Sequence, residues 1–300
     1  MTREDVRSAP PGPPDRLDRV VAALFPERLP SRAAAKNACK RGEVLVDGAP
    51  AEPSRMVSGG QEIQLLPRSG PLPAIWEEPL EVAWEDDAIA VVVKPAGVLV
   101  SGNQHQTLVH ALPANLSPSP RPDALPRPQP AHRIDIATSG LVAVGKTASA
   151  LAALNRAFAE RQVKKRYRAV VNGRLEGDGI IAEPIADRPA ETRYAVVAHG
   201  PSVRCGWSTV VDLWPVTGRT HQLRRHLAGL GHAIVGDTLY GERETTLRGQ
   251  GLFLAAVELT LPHPDDGRSV RVEIPPPPKH ASLLKREARR CERLGLTPKG

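Results

Sequence analysis

AHRIDIATSGLVAVGKT, residues 131–147, changes character halfway along: His132, Arg133, Asp135, Thr138 and Ser139 crowd its first half, and Leu141, Val142, Ala143 and Val144 fill its second. A polar segment running into an apolar strand is a loop anchored on a sheet, where reactive groups concentrate. Upstream, NLSPSPRPDALPRPQP (115–130) predicts an extended surface loop, because its prolines remove backbone donors and fix φ. Downstream, Thr147 suits the N-cap of a helix whose Leu151, Leu154 and Phe158 share one face. LEVAWEDDAIAVVVKPAG (80–97) reads as two strands, the second nearly all apolar and therefore central. Strand-like segments recur near 166–172, 193–199, 207–216, 252–260 and 269–274, with one more helix in RTHQLRRHLAGLG (219–231). Helices among many strands, most joined without helical crossovers, predict an α+β fold with a mixed, mainly antiparallel sheet.

The N-terminal part reads as a separate unit. Residues 1–14 are Pro-rich and polar, with no period that would bury a face, and are expected to be disordered. Between 15 and 67, Leu17, Val20, Val21 and Leu24 follow helical spacing, and Ser31 stands as N-cap before a second short helix closed by Gly42. EVLVDG then predicts a strand and a tight turn at Asp47-Gly48, and QEIQLL a last strand. Arg16, Arg19, Arg32, Lys36, Lys40 and Arg41 fall along what reads as one face of this unit: either an ordinary solvated face or a grip on a phosphate backbone. Residues 68–79 read as a linker, 80–276 as the larger domain and 277–300 as a basic tail.

Length and composition narrow the function classes. The chain has 300 residues, room for about two domains, and no apolar run long enough for a membrane span or a signal core. Three scattered cysteines support neither a disulfide framework nor a zinc ribbon, and a reducing cytoplasm is expected. A net charge of +7 points to a polyanionic partner, although much of the excess lies in the tail. His221, His226 and His232 lack metal-ligand spacing, and no Gly-rich phosphate loop occurs, so no metal and no cofactor are expected.

Three clusters bear chemistry. Asp135 in HRID suits a nucleophile or base if kept ionised and dry, but a lone aspartate there reads first as a turn or capping residue. KKRYRAVVNG (164–173) points Tyr167 one way and Arg166 and Arg168 the other, so Tyr167 is a core aromatic or a group that stacks on a base or moves a proton. In WPVTGRTHQLRRHLAGLGHAIVGDTLYG (214–241), Gly218 leads into a helix carrying Arg219, His221 and Arg224, cations that suit a phosphate or a buried carboxylate, or an ordinary basic helix.

Taken in order, AWEDDAIAVVVKPAG, HRIDIATSGL, KRYRAVVNG and VTGRTHQLRRHLAGLGHAIVGDTLYG resemble the RluA-type family of RNA pseudouridine synthases over about residues 80–275. DRLDRVVA, SRAAAKNACKRGEVLVDG and GGQEIQL are similar to the S4-like RNA-binding domain that many members carry. The resemblance implies a small two-helix and β-hairpin module followed by a pseudouridine synthase domain. It implies Asp135 as nucleophile, Tyr167 as active-site tyrosine and Arg224 as the arginine that pairs with the aspartate. It also implies RNA contacts from Arg133, Thr138, Arg219 and His221, and from Arg16, Arg32, Lys36, Lys40 and Arg41 of the N-terminal module. Departures are Ile134 and Ile136 flanking the aspartate, VLVSGNQHQ after KPAG, and LFLAAVEL where a Leu-His-Ala is usual. The implied substrate is large-subunit ribosomal RNA, with transfer RNA as the alternative. The rivals are a non-catalytic RNA-binding or ribosome-assembly protein and an RNA methyltransferase, and a monomer suffices.

Overall fold

The computed structural model describes residues 5–26, 28–29, 32–67, 73–102, 104–245, 247 and 249–296. The N-terminal unit runs β1 (Asp5–Ser8), β2 (Asp15–Arg16), α1 (Leu17–Leu24), α2 (Arg32–Lys40), β3 (Val44–Val46), β4 (Ala49–Pro50), β5 (Met56–Val57) and β6 (Glu62–Leu65). A four-stranded antiparallel sheet, β1-β6-β3-β4, packs with the two helices, and β2 and β5 form a short ribbon. Asp47 and Gly48 both take positive φ, 51° and 79°, as a two-residue hairpin loop between right-twisted strands requires. Leu17, Val21, Phe25, Ala35, Val44 and Ile63 make the buried centre.

Residues 1–14 are not disordered throughout. Asp5–Ser8 pair antiparallel with Glu62–Leu65, and Arg28 reaches Asp5 at 3.1 Å. Four residues carry too short a period to reveal a strand; the free edge of β6 supplies the order. The Ser31 cap and residues 68–72 of the linker lie outside the described residues.

The larger unit runs β7 (Glu81–Glu85), β8 (Ile89–Lys94), α3 (Leu108–Asn115), β9 (Ala124–Pro130), β10 (Ser139–Thr147), α4 (Ala148–Ala159), β11 (Lys164–Asn172), β12 (Asp178–Ile181), β13 (Thr192–Ser202), β14 (Gly206–Pro215), α5 (Gln222–Gly229), β15 (Leu254–Pro262), β16 (Ser269–Glu273) and α6 (Pro278–Arg293). Its sheet has the order β12-β13-β14-β11-β15-β10-β8-β7, with β16 beside β15 and β9 beside β10. The pairing is antiparallel except between β10 and β15. Alternation divides two cores: Ala90, Val92, Val142 and Val144 face a layer shared with Leu108 of α3, Leu223 and Leu227 of α5 and Leu283 of α6. Ile89, Val91, Leu141 and Ala143 face the opposite layer, with Leu154 of α4. Burial on both faces explains why β8 is nearly all apolar.

Two expectations are corrected. Residues 124–130 are a strand rather than a loop: Pro126, Pro128 and Pro130 fall at alternate positions, which an edge strand tolerates because every second N–H points away from its partner. The C-terminal segment is not a free tail, since Leu283, Glu287 and Cys291 recur at helical spacing and bury α6 against the sheet.

Gly140 fixes how closely β10 meets β15. Its φ is +113°, and a Cβ there would lie 2.1 Å from the Ala256 carbonyl oxygen. Gly140→Ala should therefore destabilise the protein by roughly 2 kcal/mol or more, read as a lower urea midpoint than wild type; an unchanged midpoint would refute this packing.

Candidate active site

The loop before β10 is fastened from three sides. His132 accepts a hydrogen bond from the Ala143 N–H at 3.0 Å and stacks on Phe158 with centroids 4.4 Å apart. Burial, helped by nearby Lys165, lowers this imidazole to about 3, so it is a neutral clip. The Thr138 N–H closes a turn onto the Asp135 carbonyl at 3.0 Å. The Ile136 carbonyl accepts from the Gly97 N–H at 2.7 Å and from Lys94 Nζ at 3.3 Å.

Lys94 is fully buried, and its ammonium also donates to the carbonyls of Pro95 and Val98, each at 2.8 Å. Burial lowers it to about 8, against the opposing charge of Asp135. Three carbonyls match the three donors of an ammonium, so this lysine ties the KPAG turn to the HRID turn and leaves a cation near Asp135.

In the loop, Ile134 is buried, Arg133 is exposed and Asp135 is half-buried. Two groups from the α5 region approach the Asp135 carboxylate: Arg224 Nη1 at 3.9 Å and His221 Nε2 at 4.0 Å. These separations are too long for direct hydrogen bonds and leave the Asp135 carboxylate without a side-chain donor in contact among the described residues. Arg224 commits its other nitrogens to Asp237, as a two-pronged pair at 2.7 Å and 2.7 Å. Burial works against charge on both partners; each outweighs it for the other, leaving Arg224 raised and Asp237 lowered. The Leu239 and Tyr240 N–H groups also donate to Asp237, at 3.0 Å and 3.2 Å.

The expectation that Arg224 pairs with Asp135 is thus revised. Its primary partner is Asp237, and Asp135 meets the remaining edge of the guanidinium. Asp237 was missed although a signal existed: an arginine between Leu223 and Leu227 on a buried helix face needs an acid, and Asp237 is the first one after it in the chain. Gly236 makes the turn possible, with φ +81° and space for a Cβ blocked by the Gly251 carbonyl oxygen at 2.0 Å.

Tyr240 completes the wall. Its hydroxyl shares a hydrogen bond with His221 Nδ1 at 3.0 Å, and its ring lies 5.2 Å from the Arg224 guanidinium carbon. His221 holds a left-handed φ of 55°, a strained conformation for a histidine. Tyr167 sits where β11 bulges against β15, between Arg166 and Tyr167. It is buried in the same layer as Ile134, and its phenol is pushed up by burial and by the charge of Asp135. Arg166 and Arg168 point to the other face, where Asp212 binds both, as alternation predicts.

Other sequence-predicted contacts divide. Thr138 is buried at 2% exposure and therefore cannot touch RNA: its backbone is needed to close the Asp135 turn. Arg219 is held to the Pro189 carbonyl at 3.1 Å. In the N-terminal unit, Arg16 and Arg32 converge on buried Asp18 and Arg41 grips Glu43, so these three serve the fold. Lys36 and Lys40 are exposed, with no acidic partner among the described residues. Among the described residues, no group of three or more His, Cys, Asp or Glu could hold a metal, and no helix is long and apolar enough to cross a membrane.

Removing one partner of a buried pair leaves the other charge uncompensated. Asp237→Asn should cost about 3–5 kcal/mol in urea unfolding at pH 7. The depressed carboxylate contributes stability above its unfolded value near 4 and loses it as pH falls through the folded value. The difference between wild type and variant should therefore narrow below about pH 4; a constant difference would exclude the ion pair as its source.

Comparison with known proteins bears on the family. Residues 88–229 match the RNA pseudouridylate synthase family and residues 15–63 the S4 domain. The chain is 36% identical over 294 residues to ribosomal large subunit pseudouridine synthase D of Nitrosomonas europaea, covering 90% of this chain and 83% of the relative. It is 38% identical over 208 residues to the dual-specificity RNA pseudouridine synthase RluA of Haemophilus influenzae, covering 64% of this chain and 90% of the relative. Human RNA pseudouridylate synthase domain containing 1 superposes with a TM-score of 0.55 at 29% identity, covering 67% of this chain and 84% of that one. A carboxylate faced by a buried guanidinium, an S4 module and relatives matched over most of their length lead to one assignment: the chain belongs to the RNA pseudouridine synthase family.

Proposed function

We propose that this enzyme converts uridine to pseudouridine in large-subunit ribosomal RNA, with Asp135 as nucleophile. The observation that carries the reading is the half-exposed Asp135 carboxylate, set against a guanidinium that Asp237 holds in place. The S4 module and the large-subunit relative support ribosomal RNA as substrate. The transfer RNA reading is tested alongside, and three free cysteines, with Cys39 and Cys291 buried, suit a reducing cytoplasm.

The reaction is an isomerisation without energy input: the bond from ribose C1′ to uracil N1 breaks, the uracil turns while bound, C5 bonds to C1′, and the C5 proton leaves as N1 gains one. Asp135 either attacks C1′ or the uracil ring, or removes a C2′ proton to give a glycal. Arg224 keeps the carboxylate ionised and aimed through a charge-assisted contact. Tyr167, raised and therefore protonated at neutral pH, covers the uracil face as a neutral phenol. The target uridine must leave its stack to reach the pocket, and exposed Arg133 stands at the mouth to hold the displaced backbone. Lys36 and Lys40 are exposed cations of the N-terminal unit available to meet phosphate.

The test is tritium release from C5-tritiated uridine in separated ribosomal and transfer RNA. Wild type should release tritium from the large-subunit fraction, and Asp135→Ala should lower the rate by about 1000-fold or more, on the order of 4 kcal/mol in the barrier. Equal release by both proteins would remove Asp135 from the chemistry, and release from transfer RNA alone would move the substrate class.

A further inference from the structure

Many arginines of this protein pair with acids: Arg166 and Arg168 with Asp212, Arg121 with Asp265, and Arg16 and Arg32 with Asp18. Helix α6 departs from that habit. Its inner face is fixed by Leu283 in the core, by Leu284 against Gly200, and by Glu287, which accepts from the Val203 N–H at 3.1 Å. Its outer face carries Lys285, Arg286, Arg289, Arg290 and Arg293, and the helix has one exposed acid, Glu292. Arg290 pairs with Glu287 and Arg286 donates to the neutral Gln250 side chain. Lys285, Arg289 and Arg293 have no hydrogen-bonding or ionic partner among the described residues.

Lys285, Arg289 and Arg293 stand at i, i+4 and i+8, so three like charges line up at intervals of about 6 Å on a rigid helix. Like charges at this spacing disfavour the helix. The helix dipole compensates for Arg293 in the last turn, but not for Lys285 and Arg289 farther in. These side chains, with Ser282, Arg286 and Arg290, make one open cationic surface along the helix. An evenly spaced row of unpaired cations on such a surface is complementary to a polyphosphate backbone.

Its place in the fold suits a substrate that also enters the active site. Leu283 of α6 and Leu223 and Leu227 of α5, the helix of Arg224, pack in the same core layer on one face of the sheet. Helix α6 lies against the Gly200 end of β13, which pairs with Ser208 of β14, and Ser208 pairs with Asn172 of β11. Tyr167 is five residues back along β11, which puts the docking site of α6 about 17 Å along the strands and about 10 Å across them from Tyr167.

We propose that the outer face of α6, led by Lys285, Arg289 and Arg293, is a second RNA-backbone contact that grips phosphates of the substrate away from the uridine being isomerised. It rests on the reading of the chain as an RNA pseudouridine synthase acting on a structured RNA. The face adds affinity and not chemistry, because it touches neither Asp135 nor its partners.

The experiment compares wild type with Lys285→Gln/Arg289→Gln/Arg293→Gln, and with Lys285→Arg/Arg289→Lys/Arg293→Lys, which keeps the charge. Equilibrium binding of a large-subunit ribosomal RNA fragment and tritium release are each measured from 50 to 200 mM salt, with thermal melting as the check on folding. The glutamine variant should melt like wild type, keep kcat within about twofold and raise KM and Kd about tenfold at the lower salt. The slope of log Kd against log salt should fall by about 2, as expected for losing two to three phosphate contacts. The charge-keeping variant should behave as wild type. Unchanged Kd and slope in a folded glutamine variant would overturn the proposal, as would loss of binding to anionic lipid vesicles with RNA binding intact. If wild type binds RNA through this face but releases no tritium, the synthase reading fails and the contact stands.

Discussion

The pocket depends on a charge buried where charge is costly. Arg224 and Asp237 are both nearly sealed from water, and neither is tolerable without the other. Their two-pronged geometry leaves one guanidinium edge uncommitted, and Asp135 faces that edge at 3.9 Å. The same acid is capped by two backbone N–H groups from the turn that carries Tyr240, and Tyr240 in turn holds His221. One buried pair therefore sets the position of three groups around the carboxylate. The cost of burial yields orientation, which is what a reaction that moves a base between two bonds at one carbon requires.

A second constraint holds Asp135 itself. The Ile136 carbonyl is shared by Gly97 and Lys94, and so the turn after β8 and the loop before β10 move as one body. Gly140 at the start of β10 and Gly236 in the turn before Asp237 let their segments lie directly on neighbouring backbone, at separations no side chain would permit. The catalytic segments are thus pinned from the sheet side, while Arg133 and Asp135 remain open to solvent.

The sequence made the centre of this arrangement legible and its supports much less so. Asp135, Tyr167 and Arg224 sit in long motifs whose strand and helix periods are plain, and the fold brings Arg224 to 3.9 Å from Asp135 and buries Tyr167 within reach of its charge. Asp237 was passed over because the need for it arises only when α5 is packed and the environment of Arg224 is known. Thr138 was assigned outward and lies inward, since a hydroxyl in a polar run looks the same whether it faces water or closes a turn. Arg16, Arg32 and Arg41 are read from the resemblance as RNA contacts, yet Asp18 and Glu43 pair with them, a pairing set by folding and invisible in a charge count. Strand β9 and helix α6 were hidden for opposite reasons: prolines mask an edge strand, and a high cation density masks the apolar stripe of an anchored helix.

The central claim is that Asp237 acts on the reaction only through Arg224. The most direct measurement is a double-mutant cycle on kcat with Arg224→Gln, Asp237→Asn and the pair together, at a temperature where all four proteins are folded. The account predicts strong coupling: each single change lowers kcat by a similar large factor, and the double variant is no more than a few-fold slower than the worse single. Independent, multiplicative losses, or a kcat for Asp237→Asn close to wild type, would contradict it.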